Sequence, residues 1–201
     1  MPEDWKAPVR AAILIGGQSQ RMGTPKAALD LGDGTTPLGR VICALEAAGL
    51  PVVLVGAAPI SRAAAGLEQI ADMERASGPV AGILAALAHD RDAAWVVCAC
   101  DLPAINAEAV HWLISERSPE HMAVLPRLSG QGVEPLFALY EPRAEAKLWD
   151  LARSERPAPS RLALTDGVAS PRPPARLHAA WTNLNTPEQL AAFVAARLQA
   201  L

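Results

Sequence analysis

The hydrophobic pattern alternates between short apolar runs and longer segments with helical periodicity. The runs end abruptly, most of them at a glycine or an acidic residue, which is typical of buried strands that lead into loops. The runs lie at residues 9–15, 51–56, 69–71 and 94–100. The helical segments lie at residues 37–48, 61–66 and 80–89. Strands that alternate with helices predict a mostly parallel sheet between layers of helices.

The second half of the chain adds two strands of a different kind. Residues 121–127 and 134–140 are largely apolar, and Gly130-Gln131-Gly132 between them predicts a turn. This arrangement predicts a small antiparallel addition to the sheet. Between residues 156 and 176, prolines and arginines interrupt the periodicity, so a loop is predicted there apart from a short helix at 160–164.

Two helix starts carry capping signals. Asn106 can cap a helix over residues 107–116, because its side chain can accept a hydrogen bond from a free backbone N–H group of the first turn. Near the C-terminus, Thr186-Pro187-Glu188-Gln189 combines a cap residue, a proline at the first helical position and a capping-box glutamine. This combination predicts an apolar C-terminal helix.

Composition narrows the class of protein. The 201 residues are 51% hydrophobic but only 4% aromatic, which favours one α/β domain with an aliphatic core. A net charge of −3 with scattered lysines and arginines offers no basic surface, so no nucleic acid is expected as a partner. No apolar run is long enough to span a membrane, and the three cysteines lack CxxC spacing. We therefore expect a soluble, cytoplasmic protein with reduced thiols.

A glycine-rich loop follows the first predicted strand, at residues 16–26. Gly16 and Gly17 allow backbone N–H groups to approach anionic oxygens, while the cations Arg21 and Lys26 can neutralise the remaining charge. The loop lacks the GxGxxG pattern of dinucleotide-binding folds and the Gly-Lys-Ser/Thr sequence of P-loops. It therefore predicts a triphosphate site of another type.

Two aspartates follow other predicted strands. Asp101 comes directly after the run at 94–100, so its carboxylate is predicted to lie at the edge of the sheet where ligands bind. Magnesium commonly takes one or two carboxylates together with water and phosphate oxygens, which makes Asp101 the candidate Mg²⁺ ligand. Asp72 follows the short strand at 69–71 and is a candidate for the nucleotide site, although acidic loop residues are common.

The segment Gly78-Pro79-Val80-Ala81-Gly82 has two interpretations. It can be the start of a helix whose small residues allow close packing, or it can present backbone groups to a nucleotide base. The sequence leaves both interpretations open.

Four motifs together resemble those of the molybdenum cofactor guanylyltransferase (MobA) family of nucleotidyltransferases. They are LIGGQSQRMGTPKAAL from Leu14, GPVAG from Gly78, CDLP from Cys100 and NLNTPEQL from Asn183. They occur in the family's order across nearly the whole chain. The resemblance implies a single domain with a three-layer, Rossmann-like nucleotidyltransferase fold. Its nucleotide-binding half would be residues 1–103, and its acceptor-binding half residues 104–201.

The resemblance also implies roles for the motif residues. The nucleotide-binding residues would be Leu14, Ile15, Gly16, Gly17, Lys26, Asp72 and Asp101. Arg21, Lys26 and Asp101 would be catalytic, with Asp101 holding Mg²⁺, while Asn183 and Asn185 would bind the acceptor. The implied reaction is Mg²⁺-dependent transfer of GMP from GTP to molybdopterin, with release of pyrophosphate. Other cofactor-biosynthesis or acceptor proteins are further candidate partners.

Three positions depart from the family pattern. Ile15 stands where the family usually has a small alanine, and its larger side chain could reshape the base pocket. The segment Val55-Gly56-Ala57-Ala58 lacks the asparagine that guanylyl enzymes often carry after this strand. Glu134 stands where a histidine often precedes the proline that corresponds to Pro135.

Two alternative functions share parts of this pattern. A related enzyme could transfer CMP or another nucleotide to a phosphorylated acceptor, but cytidylyl relatives tend to have an alanine in the double-glycine position and to lack GPVAG. A non-catalytic carrier could bind molybdopterin without transferring a nucleotide, but binding alone does not need both Lys26 and Asp101. Guanylyl transfer is therefore the preferred interpretation.

Overall fold

The computed structural model describes residues 7–15, 30–59, 62–128, 132–184 and 186–198. The strands in these residues are β1 (Val9–Leu14), β2 (Val52–Val55), β3 (Glu68–Ile70), β4 (Ala94–Ala99), β5 (Ala123–Val124), β6 (Phe137–Tyr140) and β7 (Val168–Ala169). They form one sheet with the order β3-β2-β1-β4-β6-β5-β7. The predicted single α/β domain with a mostly parallel sheet and an antiparallel part is confirmed.

Strand β1 is at the centre of the parallel part of the sheet. It pairs with β2 on one side, where Leu14 aligns with Val55, and with β4 on the other, where Leu14 aligns with Ala99. Strand β3 extends this part beyond β2. The carboxyl ends of these parallel strands therefore lie along one edge of the sheet, where ligands bind in open α/β folds.

The antiparallel part begins directly beside β4. Strand β6 pairs with β4 and with β5, antiparallel to both, so the predicted hairpin strands are found side by side. Strand β7 then pairs parallel to β5. Because β6 runs against β4, its first residues lie next to the last residues of β4. The predicted turn at Gly130-Gln131-Gly132 lies mostly outside the described residues.

Helices cover both faces of the sheet. They are α1 (Pro37–Ala47), α2 (Gly78–His89), α3 (Ala107–Ser115), α4 (Glu145–Ala152) and α5 (Pro187–Leu198). The Asn106 cap is confirmed, since its Oδ1 accepts a 2.9 Å hydrogen bond from the backbone N–H of Ala109. The capping box before α5 is confirmed by reciprocal hydrogen bonds of 3.1 and 3.3 Å between Thr186 and Gln189.

Alternate residues of β1 belong to two separate apolar clusters. Ala11 and Ile13 pack in the cluster that contains α1 and α3, whereas Ala12 and Leu14 pack in the cluster that contains α2 and α4. This alternation follows from the two-residue period of a strand. Helix α2 is buried along its whole middle, from Val80 to Leu87, because α4 covers the side that faces away from the sheet. Such a helix is expected to be apolar all round.

Several elements differ from the prediction. The alanine-rich segment predicted as helix at 61–66 contains only a three-residue 3₁₀ turn, Arg62–Ala64. The stretch predicted mainly as loop holds the predicted short helix, as the 3₁₀ segment Pro159–Leu164, but also β7. Helix α4 and the 3₁₀ segment Ala175–Trp181 were not predicted. Of the helices in the described residues, none is long and apolar enough to cross a membrane.

A buried ion pair joins three separate segments at the amino edge of β1. Arg117, after α3, donates hydrogen bonds of 2.7 and 3.1 Å to the two carboxylate oxygens of Glu141, which follows β6. Its remaining arm donates to the backbone carbonyl of Ala7, ahead of β1, at 3.2 Å. The two side chains are only 9% and 8% exposed. Water has little access to these two charges, so each is stabilised mainly by the other.

We predict that Arg117→Ala lowers the free energy of unfolding by about 3–5 kcal/mol, because it leaves the Glu141 carboxylate buried without its counter-charge. The matched control is Arg153→Ala, which removes an exposed arginine paired with Asp150 at 3.2 Å and should cost less than about 1 kcal/mol. Urea unfolding measures both. Equal losses in the two variants would contradict the structural role of the buried pair.

Candidate functional site

The carboxyl edge of the parallel strands brings together the residues that follow them. The backbone N–H of Ile15, just after β1, donates to the carbonyl of Val55 at 2.8 Å, and Gly56 in turn donates to Ile70 at 2.9 Å. Asp101 follows the end of β4, which pairs with the other side of β1. The loops after β3, β2, β1 and β4 therefore all begin at the same edge of the sheet, on neighbouring strands.

The glycine-rich loop lies outside the described residues, so Gly16, Gly17, Arg21 and Lys26 remain sequence predictions. Its first anchor is described: Leu14 and Ile15 are 9% and 8% exposed. The Ile15 side chain packs in the apolar cluster of α1, while Leu14 packs in the cluster of α2. The larger side chain at Ile15 is therefore directed into the α1 layer, away from Gly82 on α2.

Gly82 on α2 makes a close approach to β1 and to the loop after β3. A Cβ atom at Gly82 would lie 2.7 Å from Cδ2 of Leu14 and 3.3 Å from Oδ1 of Asp72. The backbone N–H of Met73 donates to the carbonyl of Ala81 at 3.3 Å, which fixes this loop against the helix. The GPVAG segment therefore forms the first turns of α2, and its final glycine allows close packing beside two predicted nucleotide-binding residues.

Among the described residues, the Asp72 carboxyl group has no hydrogen-bond or ion-pair partner. No described residue donates a hydrogen bond or provides a cation to it, although the residue is exposed to solvent. Surrounding protein atoms displace part of its water, and this desolvation raises the pKa of Asp72 above its ordinary value. The group is thus an accessible hydrogen-bond acceptor at the nucleotide side of the predicted site.

Asp101 and the C-terminal motif are held together by the backbone. The N–H of Leu184 donates to the carbonyl of Asp101 at 3.0 Å. This contact places the backbone of Asn183, one residue earlier, near that of Asp101. Asn185 lies outside the described residues and remains a prediction. Asp101 itself is partly exposed at the edge of the sheet.

Trp181, which the sequence reasoning did not single out, anchors this C-terminal segment. Its ring stacks on Phe137 with centroids 4.6 Å apart, and its Nε1–H donates to the backbone carbonyl of Phe137 at 2.9 Å. Trp112 of α3 contacts the same ring edge-on at 5.6 Å. The sequence does place this tryptophan two residues before the NLN triplet. A buried indole needs a partner for its N–H group, so its position indicates an anchor for the segment.

Glu134 is a second residue that the sequence analysis noted only as a departure. It lies just before β6, and its backbone N–H donates to the carbonyl of Pro126 at 2.8 Å. Its side chain is half-buried, and desolvation raises the pKa of its carboxyl group above the ordinary value. The edge of the sheet therefore carries partly desolvated carboxyl groups both on the β3 side and on the β6 side.

The donor set at this edge fits a cation that needs few protein ligands. Within the described residues, no three or more His, Cys, Asp or Glu side chains are grouped so that they could hold a metal ion. Magnesium keeps several waters and is commonly bound by one or two carboxylates together with substrate phosphates. A carboxylate at the end of β4 suits such an ion better than it suits zinc, which takes three or four protein ligands.

An open groove lies beside this edge, between α2 and α4. Its volume is about 880 Å³, and its lining includes Asp72 and Arg75 after β3, His89 of α2 and Trp149 of α4. The groove thus offers a second surface beside Asp72, away from Asp101.

Comparison with known proteins gives one family. The model of the family described as MobA-like NTP transferase domain matches residues 11–164. This range includes Leu14, Asp72 and Asp101 but ends before Asn183.

Individual relatives agree with this match. A probable molybdenum cofactor guanylyltransferase from Pelotomaculum thermopropionicum is 36% identical over 128 residues, which cover 64% of this chain and 61% of that protein. A protein of the same description from Bacillus mycoides is 28% identical over 149 residues, covering 72% and 74% of the two chains. The alignment with the first relative thus spans less than two thirds of that protein's length.

A solved structure has the same fold. It is molybdopterin-guanine dinucleotide biosynthesis protein A from Archaeoglobus fulgidus, which superimposes with a TM-score of 0.75 over 94% of this chain and 99% of that chain. The two sequences are 24% identical.

We predict that the carboxyl groups of Asp72 and Glu134 titrate above ordinary aspartate and glutamate values of about 3.9 and about 4.3, because both are partly desolvated. Exposed Glu188 is the comparison, since a hydrogen bond from the Thr186 side chain lowers its pKa. Carbon-detected NMR titration measures all three. Asp72 titrating at or below the ordinary aspartate value, or Glu134 at or below the ordinary glutamate value, would show that the group is not desolvated.

The same shift has a consequence for stability. A raised pKa means that the folded state binds the proton more tightly than the unfolded state, so ionisation of Asp72 opposes folding. Asp72→Asn should therefore gain stability relative to the parent as pH rises from about 3 to about 6, with no difference at the acid end.

Proposed function

This chain belongs to the family of MobA-like NTP transferase domains, and we propose on that premise that it transfers GMP from GTP to molybdopterin. The observation that carries the proposal is the arrangement along the carboxyl edge of the sheet. Leu14, Asp72 and Gly82 meet on one side, while Leu184 hydrogen-bonds to Asp101 on the other and places the backbone of Asn183 near it. This arrangement supports two neighbouring sites that would share Asp101, the residue proposed to hold the metal ion.

The reaction needs positioning more than proton transfer. The terminal phosphate of molybdopterin already carries an anionic oxygen near pH 7, and this oxygen attacks the α-phosphorus of GTP. A new phosphorus–oxygen bond forms, the bond between the α-phosphorus and the bridging oxygen breaks, and pyrophosphate leaves with that electron pair. No protein base is required, so the enzyme acts by orienting the two phosphates and by stabilising charge.

The two halves of the chain would divide this work. In residues 1–103, the backbone N–H groups of Gly16 and Gly17 would cradle the triphosphate, and Arg21 and Lys26 would neutralise charge as pyrophosphate leaves. In residues 104–201, the strands and loops around β6 and the segment with Asn183 and Asn185 would hold the acceptor. The junction between the two halves is the end of β4, at Asp101.

Asp101 is the residue proposed to hold Mg²⁺. A magnesium ion held by Asp101 would offset the negative charge of the nucleotide phosphates. The chain's contribution is the fixed position of the carboxylate: β4 is buried before it, Leu102 is 2% exposed after it, and Leu184 holds its backbone carbonyl. A ligand fixed on three sides needs little reorganisation when the metal–nucleotide complex binds.

Guanine is the proposed base for two reasons. The relatives from Pelotomaculum thermopropionicum and Bacillus mycoides are described as probable guanylyltransferases. No described residue donates a hydrogen bond to the Asp72 carboxyl group beside α2, so it can accept hydrogen bonds from a ligand. A guanine base carries two neighbouring donor groups, its N1–H and its 2-amino group. Cytosine and adenine lack this pair of donors on one edge.

We predict that Gly82→Ala raises the KM for GTP about tenfold while the melting temperature changes little. The added methyl group displaces Leu14 and crowds Asp72, whereas alanine is favoured over glycine inside a helix by about 1 kcal/mol. Gly39→Ala is the control, because it adds a methyl group in α1 against Thr36 and Ala63. An unchanged KM for GTP in Gly82→Ala would show that the packing of Gly82 against Leu14 and Asp72 does not affect nucleotide binding.

The proposed function is tested by identifying the product. The protein is incubated with Mg²⁺, molybdopterin and one of GTP, CTP or ATP, and the dinucleotide is identified by mass. We expect GTP to be used at least about tenfold better than the others, which corresponds to about 1.4 kcal/mol of differential transition-state binding.

Two outcomes would contradict the proposal. A cytosine dinucleotide as the main product would assign the protein to cytidylyl transfer. Tight binding of molybdopterin with no dinucleotide from any nucleotide would instead indicate a non-catalytic carrier.

A further inference from the structure

Glu134 lies at the same edge of the sheet as Asp101, on the opposite side from Asp72. Strand β6 is antiparallel to β4, and the backbone N–H of Ala99 donates to the carbonyl of Leu136 at 2.9 Å. Glu134 stands two residues before Leu136, and Asp101 stands two residues after Ala99. The two residues therefore stand just beyond the same backbone hydrogen bond between β4 and β6, on the side proposed for the acceptor.

The backbone around Glu134 is held firmly. Its own N–H donates to the carbonyl of Pro126 at 2.8 Å, and the hydroxyl of Tyr140 donates to the carbonyl of Pro135 at 2.8 Å. Tyr140 is fully buried in β6. The segment before β6 is thus fixed from both sides, and the position of the Glu134 Cα atom follows from the core.

The carboxyl group of Glu134 has no protein partner among the described residues. No hydrogen-bond donor and no cation contacts it, although it is half-buried and loses part of its water to the protein. Glu141, a few residues along the chain, shows the usual arrangement: that carboxylate is buried and accepts two hydrogen bonds from Arg117. A half-buried carboxylate without donors is a cost to the folded protein, and a ligand with donor groups would remove that cost.

We propose that Glu134 recognises the pterin ring of the acceptor by accepting two hydrogen bonds from its 2-amino-4-oxopyrimidine edge. This edge presents a ring N–H and an exocyclic amino group side by side, and a carboxylate accepts two parallel N–H bonds in this geometry. The inference rests on the proposed function, because it assigns the acceptor. It adds a residue that determines which acceptor ring is bound.

Guanine carries the same pair of donors, but the structure separates the two candidate carboxylates. Asp72 lies at the end of β3 beside α2, which is the side of the glycine-rich loop. Glu134 lies across β4, on the side where Leu184 contacts Asp101. The two residues therefore lie on the sides of the sheet edge proposed for different substrates, and Asp101 lies between them in the order of the strands.

The test is Glu134→Gln, which keeps the shape of the side chain but exchanges one acceptor oxygen for a donor amide. One hydrogen bond to the ring is lost and an N–H group is turned towards another N–H group. We expect the KM for molybdopterin to rise at least about tenfold while the KM for GTP stays within about twofold. Glu155→Gln, at an exposed carboxylate in the same half of the chain, is the matched control and should change neither value.

A binding measurement without GTP removes the dependence on turnover. Quenching of pterin fluorescence gives the affinity for a pterin with the 2-amino-4-oxo edge and for the matching lumazine, which has a carbonyl in place of the amino group. The parent should prefer the pterin at least about tenfold, and Glu134→Gln should lose most of that preference. A melting curve of the variant shows that the fold is intact.

The outcomes separate the inference from the function on which it rests. If the parent makes the guanine dinucleotide but Glu134→Gln keeps its KM for molybdopterin, or if the pterin preference survives in the variant, the role of Glu134 is overturned. If the parent makes no dinucleotide from any nucleotide, the proposed function fails. The comparison of pterin and lumazine affinities then still decides whether Glu134 recognises the pterin ring.

Discussion

The pairing of β1 with β4 is the constraint on which the rest of the structure depends. The two strands align over six residues, from Val9 beside Ala94 to Leu14 beside Ala99. The chain leaves β1 towards α1 on one face of the sheet and reaches β4 through α2 on the other. A crevice opens between such diverging loops at the carboxyl ends of the strands. A shift of one residue in this register would move the glycine-rich loop relative to Asp101 and turn the buried side chains of β4 to the wrong faces.

The charged groups that stabilise the fold differ in their hydrogen bonding from the carboxyl groups near the candidate site. The Arg117–Glu141 pair is buried and hydrogen-bonded on both oxygens, so it stabilises the fold at the amino edge of β1. Asp72 and Glu134, near the carboxyl edge, are partly desolvated, and no described residue donates a hydrogen bond or provides a cation to their carboxyl groups. Local features that oppose folding are expected where a protein binds its ligands.

Much of the fold could be predicted because its strands and caps are encoded locally. The strands β1, β2 and β4 are short apolar runs, and the caps Asn106 and Thr186 make the hydrogen bonds that their side chains predict. Helix α4 and β7 could not be predicted in the same way. Strand β7 has only two residues, and α4 packs against a helix, α2, that is apolar all round and therefore gives no sign of which side is covered.

The candidate site could be predicted only where a motif is contiguous. Asp101 and Asn183 are far apart in the sequence, and the resemblance grouped them, but the hydrogen bond between Leu184 and Asp101 belongs to the tertiary structure. Glu134 shows more clearly what cannot be predicted from the sequence. Its position depends on the antiparallel register of β6 with β4. The absence of a partner for its carboxyl group among the described residues depends on the surrounding packing. Neither property is visible in the residues next to it.

The most direct measurement is a crystal structure with Mg²⁺ and a GTP analogue whose α–β bridge resists cleavage. We expect a magnesium ion within about 2.1 Å of an Asp101 carboxylate oxygen. We also expect the guanine to lie beside Asp72 and Gly82, and the α-phosphate to be accessible from the side of Asn183. A nucleotide bound in the groove between α2 and α4, or a metal ion held away from Asp101, would contradict it.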